Sequence, residues 1–516
     1  MLTPFRNEPF TDFTNEANKK EMRAALDSVK KVLGKTYPIV IGGEERMLKE
    51  SFDSINPSNK TQSVGKFSKG GKAEATEAVA VAKKAFESWR YFPAEERAAI
   101  LLRAARMMRQ QKFELSAWMI FEEGKSWPEA DGDIAEAIDF CEYYARLAIE
   151  LDREDNLVSY PGTYNHIKHL PLGVGAVIPP WNFPSAILTG MTTAALVSGN
   201  CVVLKPSSDS PAIGWQIFKI LKAAGIPDGV LNFVTGGGAS VGNTLVEHPD
   251  VAFVSFTGSR EVGTDIYARA AVVRPGQKHL KRVIAEMGGK DAVVVDETVE
   301  NLDEVAQAVV TSAFGFQGQK CSAGSRLIVH KKIHDALLEK VIERTQKISV
   351  GPTEKQEHWM GPVINQSSFA KIMEYIGVGK KEGKLVSGGE GDDRTGYFIQ
   401  PTIFDSIKSK SRLGQEEIFG PVLAIITGNN FEELMEFAND TEYGLTGAFI
   451  SSNREHVRIA KERFQVGNLY INRKCTGALV GVEPFGGFYM SGTDSKAGGA
   501  QYLYLHTQPK AISEKL

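Results

Sequence analysis

Apolar residues in the first 150 positions recur at helical spacing. Ala78, Ala82, Phe86 and Trp89 fall on one face, and Leu101, Ala105 and Met108 on another. This spacing predicts a helical N-terminal region whose apolar faces are core. The pattern then changes to short runs rich in valine, isoleucine and phenylalanine, at 174–178, 201–204, 231–234, 252–256 and 283–285. Glycine turns and helix-length stretches separate them, and strand alternating with helix predicts a parallel, doubly wound sheet. After Glu286 the alternation restarts, with an apolar run at 292–295, a helix through 306–313 and further strands at 327–329 and 422–426. A second α/β domain is therefore expected, with the boundary near Glu286.

The chain has 516 residues, enough for two or three domains with substantial cores. Positions 170–204 carry no charge and are long enough to span a bilayer. However, Pro179, Pro180 and Pro184 surround Trp181 and Asn182 and would leave carbonyls unpaired in lipid. The stretch reads instead as buried strand, loop, helix and strand. The 60 basic and 63 acidic residues of the chain are interspersed, so no basic face is offered to nucleic acid. Cys141, Cys201, Cys321 and Cys475 are far apart and form no C-x-x-C pair, which argues against disulfides and thiolate metal sites. No metal is expected from the nine histidines either, since H-E-x-x-H is absent and His166 and His169 read as surface positions on a strand. An N-terminus containing Arg6, Glu8 and two prolines does not resemble a secretory signal, so a cytoplasmic location is expected.

Candidate chemistry centres on Cys321, which lies in the polar segment Gln317-Gly-Gln-Lys-Cys-Ser-Ala-Gly324 beside Lys320. Cys201 opens an apolar strand and Cys141 sits in a helix between Phe140 and Tyr143, so both read as structural. Cys475, in a loop next to Lys474, remains a rival nucleophile. Glu286 closes an apolar run, and Asn182 lies in a proline-rich turn. Taken alone, each is equally compatible with a solvated carboxylate or a turn residue. The glycine turns at Gly236-Gly237-Gly238 and Phe256-Thr257-Gly258-Ser259 lie where phosphate-binding turns belong but lack the G-x-G-x-x-G spacing.

Seven motifs change this reading: Pro179-Pro-Trp-Asn-Phe-Pro184, Leu204-Lys-Pro-Ser207, Phe256-Thr-Gly-Ser259, Glu286-Met-Gly-Gly-Lys290, Gly318-Gln-Lys-Cys321, Glu416-Glu-Ile-Phe-Gly-Pro421 and Pro484-Phe-Gly-Gly487. In type and order the set resembles the aldehyde dehydrogenase superfamily across most of the chain. The resemblance implies a Rossmann-like cofactor domain (1–157 and 175–286), a second α/β catalytic domain (287–484), and a small oligomerisation arm with C-terminal strands (158–174 and 485–516). It also implies subunit pairing near 158–170 and 502–512, giving at least a dimer. Cys321 would attack the aldehyde, the Asn182 amide and the Cys321 backbone N–H would hold the oxyanion, and Glu286 would activate water against the thioester. Positive charge from Lys320 or the cofactor is expected to lower the Cys321 pKa. The cofactor would be NAD, held by Ile178, Pro180, Trp181, Lys205, Ser208, Gly238, Gly258, Ser259, Glu417 and Phe419. Many NAD-specific members carry a glutamate where this chain has Ser208, so NADP is also expected to be accepted.

Three further stretches resemble the branch of 1-pyrroline-5-carboxylate dehydrogenases: Asn472-Arg-Lys-Cys-Thr-Gly-Ala-Leu-Val-Gly481, Gly315-Phe-Gln-Gly-Gln-Lys-Cys-Ser322 and Pro4-Phe-Arg-Asn-Glu-Pro9. The implied substrate is glutamate 5-semialdehyde. Gly477, Ala478 and Ser322 would anchor its α-carboxylate, with Glu136, Phe183 and Phe485 around it. Read from the sequence alone, Glu136 is an exposed helical residue. Cys475 falls in the anchor loop as an oxidation-sensitive neighbour. A separate proline dehydrogenase would supply the precursor. Two alternatives stay open: another semialdehyde dehydrogenase of the superfamily, and a binding protein that keeps the fold without catalysis.

Overall fold

The computed structural model describes residues 2–153 and 155–516, with Asp155 and Asn156 as backbone only. Met1 and Glu154, both within the expected segment 1–157, lie outside the described residues. Seven strands form the first sheet: β1 (Ile39–Ile41), β2 (Glu44–Arg46), β3 (Val174–Ile178), β4 (Cys201–Leu204), β5 (Leu231–Phe233), β6 (Val251–Thr257) and β7 (Arg282–Glu286). Their spatial order is β7-β6-β3-β4-β5-β1-β2. The first five of these run parallel, while β1 and β2 extend the edge antiparallel. Helices Lys72–Trp89 and Ala186–Val197 pack against β3 and β4. Every residue of β3, β4 and β5 is buried. A strand covered on both faces is a continuous apolar run and not an alternating one, which is why these strands were legible as runs.

The second sheet comprises β8 (Ala292–Val295), β9 (Arg326–His330), β10 (Lys384–Ser387), β11 (Thr402–Asp405), β12 (Val422–Gly428), β13 (Thr446–Ile450) and β14 (Asn468–Ile471). They lie in the order β10-β11-β12-β9-β8-β13-β14, all parallel except the edge strand β10. Successive residues of β8 face opposite sides, so Ala292 and Val294 enter one core while Val293 and Val295 enter another. β7 ends at Glu286 in the first sheet and β8 begins at Ala292 in the second, so the chain crosses between sheets where the sequence rhythm restarts.

Four features differ from the sequence reading. The first 150 residues are not wholly helical. Five short strands lie between Lys35 and Ser68, and at three to six residues they are too short to show a period. The long C-terminal strand begins at Thr507, because Ala500–His506 is a 3-10 turn that contains Tyr502. That strand pairs antiparallel with Thr163–Pro171 of the same chain, from Thr507↔Pro171 to Lys515↔Thr163, and forms the arm. Residues 485–497, grouped with the arm by the family resemblance, reach β7 through the bridge Glu286↔Gly492 and close on themselves through Phe485↔Ala497. His166, expected at the surface, is buried against the Tyr164 ring. Among the described residues no helix is long and apolar enough to cross a membrane, and 170–204 forms the expected strand, loop, helix and strand.

Candidate active site

Because β3 to β7 are parallel, the turns after them share one edge of the sheet, where open α/β folds bind ligands. Ile178 ends β3, and Pro180, Trp181, Asn182 and Phe183 follow it. Lys205 and Ser208 follow β4, Gly238 follows β5, Gly258 and Ser259 follow β6, and Glu286 ends β7. The register Phe256↔Ile178, Val177↔Leu204 and Leu204↔Phe233 sets these turns side by side. Ser259 caps the helix Arg260–Ala271 by accepting from Val262 N, so that helix presents its N-terminus at the same edge. Lys205 is buried, which pulls its ammonium down to about 8 against the opposing pull of Asp209. Among the described residues its only hydrogen bond is a 3.3 Å contact to Pro206 O, and a side chain at Gly238 would meet open space. A half-free buried cation, an open glycine and a helix N-terminus suit the hydroxyls and phosphates of a dinucleotide. Ser208 is exposed and places no carboxylate there, but Asp209 one position on does, with the Asn365 amide bound to it at 3.1 Å.

The second sheet contributes Glu417 and Phe419 from the segment before β12. Gly289 N donates to Glu417 Oε1 at 3.0 Å. A Cβ on Gly288 would stand 2.3 Å from Glu417 Oε2, so a side chain there would displace the Glu417 carboxylate where the two sheets meet. Phe419, held at φ 58°, meets the Trp181 ring edge-on at 5.5 Å.

Cys321 follows three consecutive residues in the left-handed region, Phe316 (φ 49°), Gln317 (φ 58°) and Gly318 (φ 66°). Non-glycine residues there are strained by about 1–3 kcal/mol each and persist only when their surroundings over-determine them. Here the Gln317 amide donates to Gly124 O and Pro362 O at 3.1 and 2.8 Å. The buried Lys125 ammonium lies 4.2 Å from the Phe316 ring and 4.3 Å from that of Phe183. The Asn182 amide donates to Gln319 O at 3.1 Å, which ties it to the nucleophile loop and leaves its second N–H for another acceptor.

Glu286 is buried, and burial pushes its carboxyl up to about 7. The Ser495 hydroxyl, Ser495 N and Gly487 N pull the other way by donating to it at 2.5, 3.3 and 3.3 Å. For Cys321 the chain's own groups do not supply the expected lowering of the pKa. Burial pushes the thiol up, and the carboxylates of Asp291, Glu417 and Glu286 add to the shift. Lys320 does not offset them, because its ammonium is paired with Glu129 Oε1 at 2.7 Å. Cys475 is not a rival: it is fully buried outside the cavity that Cys321 lines, and its thiol donates to Ser322 O. The same burial removes it as an oxidation-sensitive neighbour.

One cavity of about 610 Å³ brings together Cys321, Glu286, Glu136, Phe183, Ser322, Gly477, Ala478 and Phe485. Asn182 lies behind this wall, 4% exposed. Glu136 is not the exposed residue that its helical spacing suggests. It faces the cavity, and burial beside Asp133 and Asp139 lifts its carboxyl to about 8. Sequence reasoning missed Ser495 and the Lys320–Glu129 pair, because contacts made across more than 150 residues leave no local signal. It also missed Phe10 and Thr11, although the segment just before them had been singled out.

Fold and site together fit a dinucleotide-linked oxidoreductase, and the chain belongs to the aldehyde dehydrogenase family, whose model matches residues 44–512. It is 56% identical to a 1-pyrroline-5-carboxylate dehydrogenase of Bacillus pumilus over the full length of both chains. It also resembles the 1-pyrroline-5-carboxylate dehydrogenase of Thermus solved with bound NAD, at 49% identity, TM-score 0.98 and full coverage of both chains. Proline utilization A of Bdellovibrio bacteriovorus is similar at 43% identity and TM-score 0.96. That match covers 99% of this chain and 53% of the other.

Proposed function

We propose that the chain oxidises L-glutamate 5-semialdehyde, the open form of 1-pyrroline-5-carboxylate, to L-glutamate with NAD and water. The observation that carries this reading is the single cavity in which Cys321 and Glu286 share walls with Ser322, Gly477 and Ala478. Backbone N–H groups beside a left-handed glycine (Gly477, φ 83°) suit a carboxylate a short, fixed distance from the nucleophile. The names of its relatives, including the Thermus structure with NAD, support the same substrate and cofactor.

In this reading the turns after β3 to β6 hold the dinucleotide, whose nicotinamide supplies the hydride acceptor when bound. Cys321 gives up its proton and attacks the aldehyde carbon. That proton passes to solvent, which leaves Glu286, with a carboxyl near 7, as the cavity base for the hydrolytic step. The Asn182 N–H left free by Gln319 and the Cys321 N–H stabilise the oxyanion of the thiohemiacetal. Loss of hydride leaves a thioester on Cys321. Glu286 then draws a proton from water, which attacks the thioester and frees glutamate and the thiol. NADP is accepted more weakly, since Asp209 stands close to Lys205. The arm exposes Val158, Tyr160 and Leu516, which supports a homo-oligomer of at least two chains. A separate proline dehydrogenase supplies the substrate, and the assignment to the cytoplasm stands as part of the proposal.

The test is NADH formation across an aldehyde panel with glutamate assayed as product. Glutamate 5-semialdehyde should be preferred, and Cys321→Ala should be silent while still binding NAD. Activity confined to other aldehydes would overturn the substrate, and an active Cys321→Ala would overturn the nucleophile.

A further inference from the structure

Residues 2–12 form neither helix nor strand and lie outside the 44–512 region that the family model matches. Even so, this segment is fastened along its length to the walls of the cavity. Arg146 donates to Thr3 O at 3.0 Å. Phe5 packs on Tyr143 with ring centroids 5.0 Å apart, and both rings close over Gly481, where a Cβ would meet each at 3.2 Å. Lys112 donates to Pro9 O at 3.0 Å, and Thr11 gives its N–H and hydroxyl to the Asp131 carboxylate at 2.8 and 2.5 Å. Phe10 and Thr11 then line the cavity, with the Phe10 ring 64% exposed at its mouth and close to Gly132.

Asn7 is the central tie. Its amide donates both to Asp139 Oδ2 at 2.8 Å and to Val480 O at 2.9 Å, while Glu8 N donates to Asp139 Oδ1 at 2.7 Å. Asp139 sits three residues after Glu136 on the helix Trp127–Leu151, hence on the same face of that helix. Val480 comes two residues after Ala478 in the anchor loop. One amide therefore fixes the spacing between the two cavity walls that face the far end of the substrate.

We propose that residues 3–11 are a specificity-determining strap. Asn7 sets the gap between the Glu136 wall and the anchor loop, and Phe10 closes the mouth, so the cavity is cut to a short aldehyde with a charged far end. This rests on the glutamate 5-semialdehyde reading above. Asn7 is a positioning residue, so its loss falls on substrate binding and spares the chemical steps.

The test compares full-length wild type, Asn7→Ala and Phe10→Ala on glutamate 5-semialdehyde and on hexanal, which has no charged end. Melting temperature and NAD binding serve as controls for folding. Asn7→Ala should raise KM for glutamate 5-semialdehyde about tenfold, the equivalent of one or two net hydrogen bonds, with kcat within about twofold of wild type. Phe10→Ala should raise kcat/KM for hexanal and lower the preference for the semialdehyde. If Asn7→Ala folds poorly, Phe10→Ala still decides the matter, because its ring is largely exposed and contributes little to the core. Unchanged preference in both variants, with the wild type active on glutamate 5-semialdehyde, overturns the strap alone. A wild type that oxidises hexanal but not the semialdehyde overturns the substrate reading, and the strap with it.

Discussion

Removal of the Asn182 amide gives the sharpest test of the catalytic geometry. Its Nδ2 carries two hydrogens, one of them bound to Gln319 O at 3.1 Å, and the side chain is 4% exposed. An oxyanion bonded by the second hydrogen is stabilised in a nearly water-free setting. Loss of such a donor costs about 2.7–4 kcal/mol, a fall of about 100- to 1000-fold in kcat. Asn182→Ala also leaves the Gln319 carbonyl without that partner. The loop remains anchored through the Gln317 amide and through Ile364 N, which donates to the Gln319 side chain at 2.9 Å. The loss should therefore be chemical and not a collapse of the loop. Stopped-flow NADH formation should show slowed hydride transfer, with kcat and kcat/KM falling together and KM nearly unchanged, the signature of an interaction made in the transition state. Asn182→Asp should be at least as slow, because a carboxylate donates nothing and repels the oxyanion. A loss below about tenfold, or one confined to KM, would refute the assignment.

Glu286 must be ionised to take a proton from water. Its carboxyl is raised to about 7, so turnover should climb with pH through about 7 and level above it. Below that pH the acyl-enzyme should build up and give a burst of NADH followed by slow turnover. Glu286→Gln should keep the burst at every pH, and normal steady-state rates in that variant would remove Glu286 from the mechanism. Ser495→Ala deletes a donor that favours the carboxylate and should move the midpoint of the pH profile upward; an unmoved midpoint would show that the 2.5 Å bond does not tune the base. Gly318→Ala places a Cβ 2.4 Å from Gly420 O at φ +66° and should destabilise the chain by at least about 1–3 kcal/mol, visible as a lower melting temperature.

The sequence alone determined the parallel sheets, because strands buried on both faces must be apolar throughout and so stand out as runs at 174–178 and 292–295. The proposed nucleophile, base and oxyanion donor were legible there too, since each lies in a short motif whose residue type and order carry the family resemblance. The short strands between Lys35 and Ser68 left no such trace, because too few residues repeat to reveal a period. Electrostatics were decided only by the fold. The Cys321 thiol is raised by burial and by Asp291, Glu417 and Glu286, which come from two segments on either side of it in the chain, and Lys320 is neutralised by Glu129, a residue 191 positions away. Glu136 reads as a surface residue on its own helix and becomes a cavity wall because residues 476–480, Phe10 and Thr11 come to line the same cavity. Local pattern records which face of an element is apolar, but burial and charge pairing depend on which distant segment arrives, and that is fixed only when the chain folds.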